Sequence, residues 1–302
     1  MDKHKILEPV SIVITVYNRS ELLRETIDSA LRQTYPNIEV VIIDDGSTDD
    51  TAKICASYGD RIRYIYKENG GHASALNRGV SEMRGTWFKW LDSDDILEEN
   101  AVEELVRCAN EKNARIVYSD YSVIDIHGSN IGVVTSANHS SHIDFAAKLW
   151  NNAFNSIVNP NCILVHKNVF EEVEPFDTSL KAPSDIEFFL HTCIIHGIMF
   201  HKCSKLLVRY RVHKKQLSYA NTIENAKEVI RLRDTVQHKY IKLHGQEAWN
   251  ELMKEFRKRN GGLVWRPHAA KLVALLPRGV GIFVFKLYRY LSGRSNILYK
   301  YA

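Results

Sequence analysis

The first 120 residues alternate short runs of strand-forming residues with amphipathic segments, and this order restricts the fold more than any other feature. Between Val10 and about Val123 the strand-like runs are VSIVITVY, IEVVIIDD, RIRYIY, WFKWLD and RIVYSDY. The segments between them repeat apolar residues at spacings near three and four, as amphipathic helices do. The first two runs are almost continuously apolar, which is typical of strands covered on both faces. We therefore predict an α/β fold with a doubly wound, mostly parallel sheet.

A polar or glycine-containing loop follows each of the first four strand-like runs. The residues concerned are Thr15, Tyr17, Asn18 and Arg19, then Asp44, Asp45, Gly46 and Ser47, then Asn69, Gly70 and Gly71, and finally Asp92, Ser93, Asp94 and Asp95. In an open α/β sheet the ligand crevice lies at the carboxyl ends of the strands. We therefore expect the four loops to meet at one edge. Turn formation or helix capping explains any single loop equally well, but does not readily explain all four.

Three carboxylates crowd together after the fourth run, at Asp92, Asp94 and Asp95. Charges of one sign at such short range repel each other unless a cation neutralises them. The common phosphate-binding glycine motifs are absent from the sequence, and Mg²⁺ or Mn²⁺ is usually held by one or two carboxylates together with substrate phosphates. We predict a divalent cation and a nucleotide diphosphate here. The alternative is that Asp94 or Asp95 only caps a helix that begins at Ile96.

The composition excludes several classes of protein. Hydrophobic residues make up 45% and charged residues 25% of the chain, which is typical of an ordinary globular protein. The five cysteines are odd in number, widely spaced and free of any C-x-x-C pair, so we predict neither a disulfide framework nor a zinc site. The amino-terminal sequence lacks the pattern of a signal peptide. We expect a cytoplasmic protein.

Charge is distributed unevenly along the chain. The formal net charge is +4, and residues 251–302 hold eleven Lys or Arg against two Glu, which leaves −5 for residues 1–250. A basic, amphipathic tail is compatible with peripheral contact with an anionic membrane at its inner face. A solvated helical face explains the charge equally well. Packing against the rest of the chain or formation of a homo-oligomer is the favoured explanation of the amphipathic pattern. The tail lacks the aromatic and basic pattern of nucleic-acid-binding modules, so we predict no nucleic-acid partner.

Five blocks of the sequence, taken in order, resemble family-2 glycosyltransferases of the GT-A fold. The blocks span Pro9 to about Ser218 and are VSIVITVYNRSELLRETIDSALRQTYPNIEVVIIDDGSTDDT, ENGGHASALNRGV, LDSDD, FDTSLKAPSDIEFFL and YRVHKKQLS. The resemblance implies a GT-A nucleotide-sugar glycosyltransferase domain over residues 1–220. A basic helical C-terminal region over residues 221–302 would form an appendage to it.

The resemblance also implies roles for individual residues in binding a UDP-sugar. Thr15 and Tyr17 should contact the base with Arg19 nearby, and Asp45 should accept a hydrogen bond from the base. The remaining implied positions near the donor are Gly71, Asn77, Arg78, Asp92 (ribose or metal-bound water) and Ser93. Mn²⁺ or Mg²⁺ would be ligated by Asp94 and His213, although the choice between Asp94 and Asp95 stays open at this point.

The implied catalytic base is Asp185, at the start of a helix that faces the acceptor. Many relatives have Glu before this Asp, whereas this chain has Ser184, so Glu187 remains an alternative base. The expected reaction is an inverting, metal-dependent transfer of the sugar to a hydroxyl of a glycan or lipid-linked acceptor in cell-envelope polysaccharide synthesis. Two alternatives are a sugar nucleotidyltransferase, disfavoured because the chain lacks a Gly-rich phosphate loop, and a catalytically degenerate nucleotide-binding or scaffold subunit.

Overall fold

The computed structural model of the chain describes residues 7–151, 157–180, 184–213, 216 and 222–260, with side chains from residue 228 onward in the last range. The strands in this part of the chain are β1 (Val10–Val16), β2 (Ile38–Asp44), β3 (Arg63–Tyr66), β4 (Trp87–Asp92), β5 (Ile96–Leu97), β6 (Ile116–Ile124), β7 (Asn130–Val134), β8 (Ile163–His166) and β9 (His201–Arg211).

These nine described strands form a single mixed sheet. Its order is β3-β2-β1-β4-β8-β6-β9-β5, with β7 paired to β6. The pairs β3/β2, β2/β1, β1/β4 and β6/β9 are parallel, whereas β8, β7 and β5 pair antiparallel to their neighbours. Most strands therefore point the same way, which confirms the predicted doubly wound, mostly parallel α/β sheet.

Helices cover both faces of the sheet. They are α1 (Ser20–Leu31), α2 (Thr51–Ala56), α3 (His72–Glu82), α4 (Ala101–Lys112), α5 (His142–Asn151), α6 (Asn168–Glu172), α7 (Ser184–Leu190), α8 (Thr222–His244) and α9 (Gln246–Arg259). Two short 3₁₀ helices (Gly59–Arg61 and Pro160–Cys162) and a π-helical turn (His191–Ile195) complete the described elements.

Alternation along β1 shows how the sheet separates two hydrophobic cores. Ile12 and Ile14 enter one core with apolar residues of α1, α2 and α4. Val13 enters the other, with residues of α3 and of α5 to α9. Successive strand residues point to opposite faces, so an almost continuously apolar strand fills both cores.

Helix α3 lies unusually close to the sheet because it carries a glycine at the contact. A Cβ atom on Gly79 would lie 2.5 Å from Cγ1 of Val13, far inside van der Waals contact. The close approach fixes the position of the amino end of α3, which begins at His72 directly after the β3 loop.

The segment after the acidic cluster differs from one sequence prediction. We predicted helical structure from Ile96, but Ile96 and Leu97 form β5, which pairs antiparallel with β9. The helix begins at Ala101, so neither Asp94 nor Asp95 caps it. A two-residue strand has no periodicity of its own, and its pairing with a strand more than 100 residues away decides its conformation.

The described part of the C-terminal region packs against α5. The indole rings of Trp150 and Trp249 lie 5.4 Å apart between centroids, and Asn260 Nδ2 donates to the Ala147 carbonyl at 3.0 Å. Among the described residues, no helix has the length and apolarity needed to span a membrane. The predictions for the basic tail fall mostly on residues 261–302, which lie outside the described residues.

Candidate functional site

The carboxyl ends of β1 to β4 lie side by side. Thr15 in β1 is in register with Ile43 in β2 on one side and with Asp92 in β4 on the other. Asp44 in β2 is in register with Tyr66, the last residue of β3. The four polar loops therefore meet at one edge of the sheet, as the sequence predicted.

The loops after β1 and β2 are tied to each other. Asn18 has a left-handed φ of 50°, and its backbone N–H donates to Ser47 Oγ at 2.9 Å. Next to it, the Tyr17 side chain stands 49% exposed, while Thr15 is buried. Arg19 Nη1 donates to the Asn18 carbonyl at 3.2 Å. An exposed aromatic ring beside a fixed loop offers a surface on which a planar ring can stack.

Asp45 is buried and is held by the loop after β3. Its Oδ1 accepts from the Gly70 N–H at 3.0 Å and pairs with Lys67 Nζ at 2.5 Å, and its Oδ2 accepts from the Gly71 N–H at 2.8 Å. The predicted residues Asp45 and Gly71 are thus in direct contact. The carboxylate fixes the loop that leads into α3.

The turn after Asp45 requires glycine. Gly46 has φ +83°, and a Cβ atom there would lie 2.8 Å from the backbone nitrogen of Asn69. Asn69 Nδ2 also donates to the Asp45 carbonyl at 2.9 Å. The loops after β2 and β3 therefore pack backbone to backbone.

Asp92 stands at the centre of the edge and is contacted from three directions. Its Oδ1 accepts from Trp90 Nε1 at 3.1 Å and lies 3.4 Å from His72 Nε2, while its Oδ2 accepts from Asn161 Nδ2 at 3.1 Å. Asn161 Oδ1 also accepts from the Asp92 N–H at 2.5 Å. Burial would raise the pKa of Asp92, but these partners outweigh it and hold the pKa below its usual value. The neighbouring Ser93 is buried.

Asp94 and Asp95 have different surroundings, although they are adjacent. Asp94 Oδ2 lies 2.9 Å from His213 Nε2. Asp95 is fully buried, its Oδ1 accepts from the Arg211 N–H at 2.8 Å, and its Oδ2 has no partner among the described residues. Burial, together with the Asp94 charge, raises the pKa of Asp95 well above its usual value.

Arg211 fastens this acidic loop to the rest of the molecule. The side chain is 1% exposed, and its Nε donates to the Asp94 carbonyl at 3.0 Å. Nη2 pairs with Glu25 of α1 at 2.5 Å, and Nη1 donates to the carbonyls of Asp125 and Ile126 at 3.3 and 2.9 Å. One buried guanidinium thus joins the end of β4, helix α1 and the turn after β6.

The residues present fit a divalent cation that takes part of its coordination from a substrate. Within the described ranges, no group of three or more His, Cys, Asp or Glu side chains is arranged to hold a metal alone. Mg²⁺ and Mn²⁺ do not need such a cage, since one or two protein ligands plus phosphate and water oxygens suffice. Asp94 and His213 lie close enough to supply two ligands. Lys214 and Lys215, next in the chain, lie outside the described residues.

Asp185 and Glu187, the two candidate bases, sit differently on α7. Asp185 is half-buried; burial raises its pKa, and it lies near enough to His72 and Asp92 to interact with their charges. Glu187 is 4% exposed, its Oε1 and Oε2 accept from the Asp177 N–H at 3.2 and 3.0 Å, and burial raises its pKa to about 7. A pKa near neutrality suits a base, but the geometry must also allow contact with the reacting group. The Glu187 carboxylate is enclosed, whereas Asp185 is only half-buried.

Asn77 and Arg78 contact other parts of the protein than the crevice carboxylates. Asn77 Nδ2 donates to the Phe176 carbonyl at 2.8 Å, and Asn77 Oδ1 accepts from the Phe176 N–H at 2.8 Å. Arg78 is exposed and pairs with Glu82 one turn further along α3 at 2.7 Å. In this structure Asn77 holds the loop that precedes α7.

Sequence reasoning did not identify three residues that shape this edge: His72, Asn161 and Arg211. Asn161 lies far from the acidic loop in the sequence. Its contact with Asp92 spans 69 residues of sequence, and that of Arg211 with Glu25 spans 186. No local pattern marks such residues. For His72, its position directly after Gly70 and Gly71 at the amino end of α3 was an available signal.

Comparison with known proteins identifies the family. The model named Glycosyl transferase family 2 matches residues 11–174. A glycosyltransferase of Rickettsia prowazekii is 37% identical over 229 residues, which cover 75% of this chain and 70% of that protein. Glycosyltransferase GlyG of Streptococcus pneumoniae is 33% identical over 178 residues, covering 55% of this chain and 59% of GlyG.

Solved structures confirm the fold. S. aureus TarS 1–349 in complex with UDP superposes with a TM-score of 0.64 at 17% identity, covering 90% of this chain and 76% of TarS 1–349. Its complex with UDP-GlcNAc gives 0.64 at 16% identity, covering 83% and 72%. The family model matches more than half of the chain, and the solved structures share its fold. The protein therefore belongs to glycosyl transferase family 2 and is a glycosyltransferase of the GT-A fold.

Proposed function

We propose that this glycosyltransferase moves a sugar, with inversion, from a UDP-sugar to a hydroxyl of a glycan or lipid-linked acceptor, and that the transfer depends on Mn²⁺ or Mg²⁺. One observation carries the proposal. The strand edge groups Asp92 and Asp94 with His213, and Asp185 lies within electrostatic reach of Asp92. An acidic site for a diphosphate-bound cation therefore faces a carboxylate that can accept a proton.

The loops after β1 to β3 supply the nucleoside pocket in this proposal. The exposed Tyr17 ring stacks against the base, Thr15 and Arg19 border it, and the loop fixed by Asp45 and Gly71 forms the opposite wall. TarS, which has been solved with UDP and with UDP-GlcNAc, has the same fold, and this supports a uridine nucleotide as the donor.

The ribose and diphosphate are then bordered by Asp92, Ser93, Asp94 and His213. Asp94 and His213 would hold a dication together with the diphosphate, and that cation would supply Lewis-acid stabilisation of the negative charge on the leaving group. Asp92 contacts ribose or a water molecule, and Asn161 and Trp90 hold its oxygens in place. Arg211 keeps the Asp94 backbone fixed, so that the carboxylates do not rearrange when the donor binds.

Asp185 accepts the proton of the acceptor hydroxyl. Its pKa, raised by burial, brings its basicity closer to that needed for proton removal near neutral pH. The acceptor oxygen attacks the anomeric carbon from the side opposite the diphosphate. The configuration at that carbon is inverted because one displacement takes place.

A role in cell-envelope polysaccharide synthesis and a peripheral position at the inner face of a membrane are the further parts of the proposal. They are supported by the basic composition of residues 251–302, since a cluster of Lys and Arg is attracted to anionic lipid. Deletion of residues 261–302 is expected to reduce binding to anionic vesicles. Unchanged binding would contradict this part alone.

The decisive experiment measures donor hydrolysis and nucleotide binding on the full chain. A panel of UDP-sugars is tested with and without Mn²⁺ by thermal shift, since a ligand that binds only the native state raises its stability. UDP release is then followed for the donor that gives the largest shift. We expect release to require Mn²⁺ and to be abolished by Asp94→Ala.

A matched control is Glu251→Ala, which removes a 73% exposed carboxylate from α9. We expect it to leave UDP release unchanged. A protein that binds UDP with Mn²⁺ but never releases it from any donor would instead fit the nucleotide-binding subunit. Binding of UDP that is indifferent to Mn²⁺ would contradict the metal dependence.

A further inference from the structure

The family and the proposed reaction leave unassigned the residue that begins α3. His72 lies beside a carboxylate of the site. Its Nε2 is 3.4 Å from Asp92 Oδ1, and the charges of Asp185 and Asp45 also act on the imidazole. Its ring packs on Trp90 with 5.7 Å between centroids, so the imidazole is oriented by a fixed neighbour.

The in-line geometry of the proposed reaction defines what must occupy this space. The leaving diphosphate lies on the side of Asp92 and Asp94, and the base lies on the side of Asp185. The sugar ring of the donor has to lie between them, because attack and departure take place on opposite faces of the anomeric carbon. His72 contacts Asp92 directly at 3.4 Å and lies within electrostatic reach of Asp185, so its imidazole is placed to border the sugar.

His72 has a ring nitrogen, Nδ1, that can contact the sugar. Its side chain is 26% exposed, and within the described part of the chain its second ring nitrogen, Nδ1, has no hydrogen-bond partner. Most polar atoms in a crevice find a partner in protein or ligand. A hydroxyl of a sugar is such a partner, since it both donates and accepts.

We propose that His72 contacts a hydroxyl of the donor sugar through Nδ1 and thereby helps to select which UDP-sugar is accepted. This inference rests on the proposed function. It differs from a purely positioning role, in which His72 would act only by orienting Asp92.

Asn161 provides a control that separates these two roles. It holds Asp92 through two hydrogen bonds but is 1% exposed, so it cannot reach a sugar ring. Asn161→Ser is expected to weaken UDP and UDP-sugar binding by the same factor. A residue that only orients Asp92 should behave in the same way.

The informative substitution is His72→Gln. The glutamine amide nitrogen occupies nearly the position of Nε2 and preserves the contact with Asp92, while the group at Nδ1 is lost. We expect the Kd of UDP with Mn²⁺ to stay within about threefold of wild type, because Asp92 is unchanged. The Kd of the preferred sugar nucleotide should rise about 5- to 30-fold, the value of one hydrogen bond of about 1–2 kcal/mol.

His72→Asn is the complementary substitution, because its amide nitrogen takes the position of Nδ1. We expect it to keep the wild-type order of preference among UDP-glucose, UDP-galactose and UDP-N-acetylglucosamine. We expect His72→Gln to reduce the differences in Kd among these three donors. Binding is measured by calorimetry with each probe, and thermal unfolding of the unliganded variants shows that they are folded.

Equal losses of UDP and UDP-sugar affinity in His72→Gln, matching those of Asn161→Ser, would overturn the inference and leave the proposed function intact. Unaltered binding of every probe by His72→Gln would overturn it as well. Failure of the wild type to bind UDP at all would overturn the proposed function itself, and this result is distinct because it appears before any substitution is made.

Discussion

The two halves of the sheet place their functional residues in different ways. In residues 10–95, β1 to β4 lie parallel, and each polar loop directly follows the strand that carries it. In residues 113–213, parallel and antiparallel pairings are mixed, and the residues that reach the site come from distant positions. His213 meets Asp94 across 119 residues and Asn161 meets Asp92 across 69.

This difference separates two kinds of contribution. The first half builds the proposed nucleotide pocket from local connections, so its geometry depends on strand order and short loops. The second half supplies the proposed catalytic base Asp185, the second metal-ligand candidate His213 and the supports of the acidic loop. We therefore expect substitutions in the second half to change catalysis, or the stability of the contacts that Arg211 makes between the halves, more than the affinity for UDP.

The largest expected effect is that of Asp185→Asn. The amide cannot accept the acceptor proton, and general-base catalysis contributes about 10²- to 10⁴-fold. We expect transfer to fall by that factor while the Kd of UDP with Mn²⁺ stays at the wild-type value, as measured by UDP-release assay and calorimetry. The matched control, Glu251→Gln on exposed α9, should change neither. A parallel loss of UDP affinity would show that the two halves are not separable in this way.

The next largest effect is expected from Arg211→Met, which removes the joint between the halves. The buried guanidinium pairs with Glu25 and donates to the carbonyls of Asp94, Asp125 and Ile126. Asp95 accepts from the Arg211 backbone N–H, which the substitution keeps. Because Glu25 is itself 61% exposed, most of the cost comes from the carbonyl groups that lose their donor, at about 1–3 kcal/mol for a buried one. We expect a loss of about 3 kcal/mol in the free energy of unfolding, measured with urea.

The control for this substitution is Arg32→Met, in which an arginine 55% exposed loses a 3.9 Å ion pair with Glu99. Exposed pairs of this kind contribute at most about 1 kcal/mol. Equal destabilisation by the two substitutions would mean that Arg211 does not join the halves.

The smallest expected effect is on the pH dependence of the free energy of unfolding, and it comes from Glu187. Burial raises its pKa to about 7 from an ordinary 4.5. The native state therefore binds more protons than the unfolded state between about pH 4.5 and 7, so stability falls as pH rises through this window. By about pH 8 the buried charge is fully present and costs on the order of 1–3 kcal/mol.

Glu187→Gln removes this cost while its amide oxygen still accepts from the Asp177 N–H. We expect the variant to match wild type near pH 5 and to be more stable at pH 8, as followed by urea unfolding at four pH values. Its UDP release should stay within a few-fold of wild type. A loss comparable to that of Asp185→Asn would identify Glu187 as the base instead.

The first half of the sheet could be predicted from the sequence more fully than the second half. The strands before residue 95 were identified because each is a long β-rich run with its own helix and turn, and the loops at their carboxyl ends could be placed by topology alone. One prediction failed where the pairing is distant. Ile96 and Leu97 looked helical but form β5, which pairs with the distant β9. Distance does not explain every omission, because β7 pairs with the adjacent β6 and was not identified, and neither were the helices α5 and α9.

The site residues could also be predicted only in part from the sequence. The sequence singled out Asp92, Asp94, Asp95, Asp185 and His213, but it could not choose between Asp94 and Asp95 because both stand beside the same loop. The structure separates them, since Asp94 faces His213 and Asp95 is buried under Arg211. Two adjacent side chains point in different directions, and the packing around them decides which one reaches the crevice.

The sequence by itself determined the alternating architecture, the edge of the sheet at which polar groups collect and the family, because these depend on local periodicity and on short-range order along the chain. Only the tertiary structure decided that Asn161 and His72 hold Asp92, that Arg211 joins the two halves and that Glu187 is enclosed. Those contacts join residues 20 to 186 positions apart or depend on burial, and no local sequence pattern encodes either proximity in space or exclusion of water.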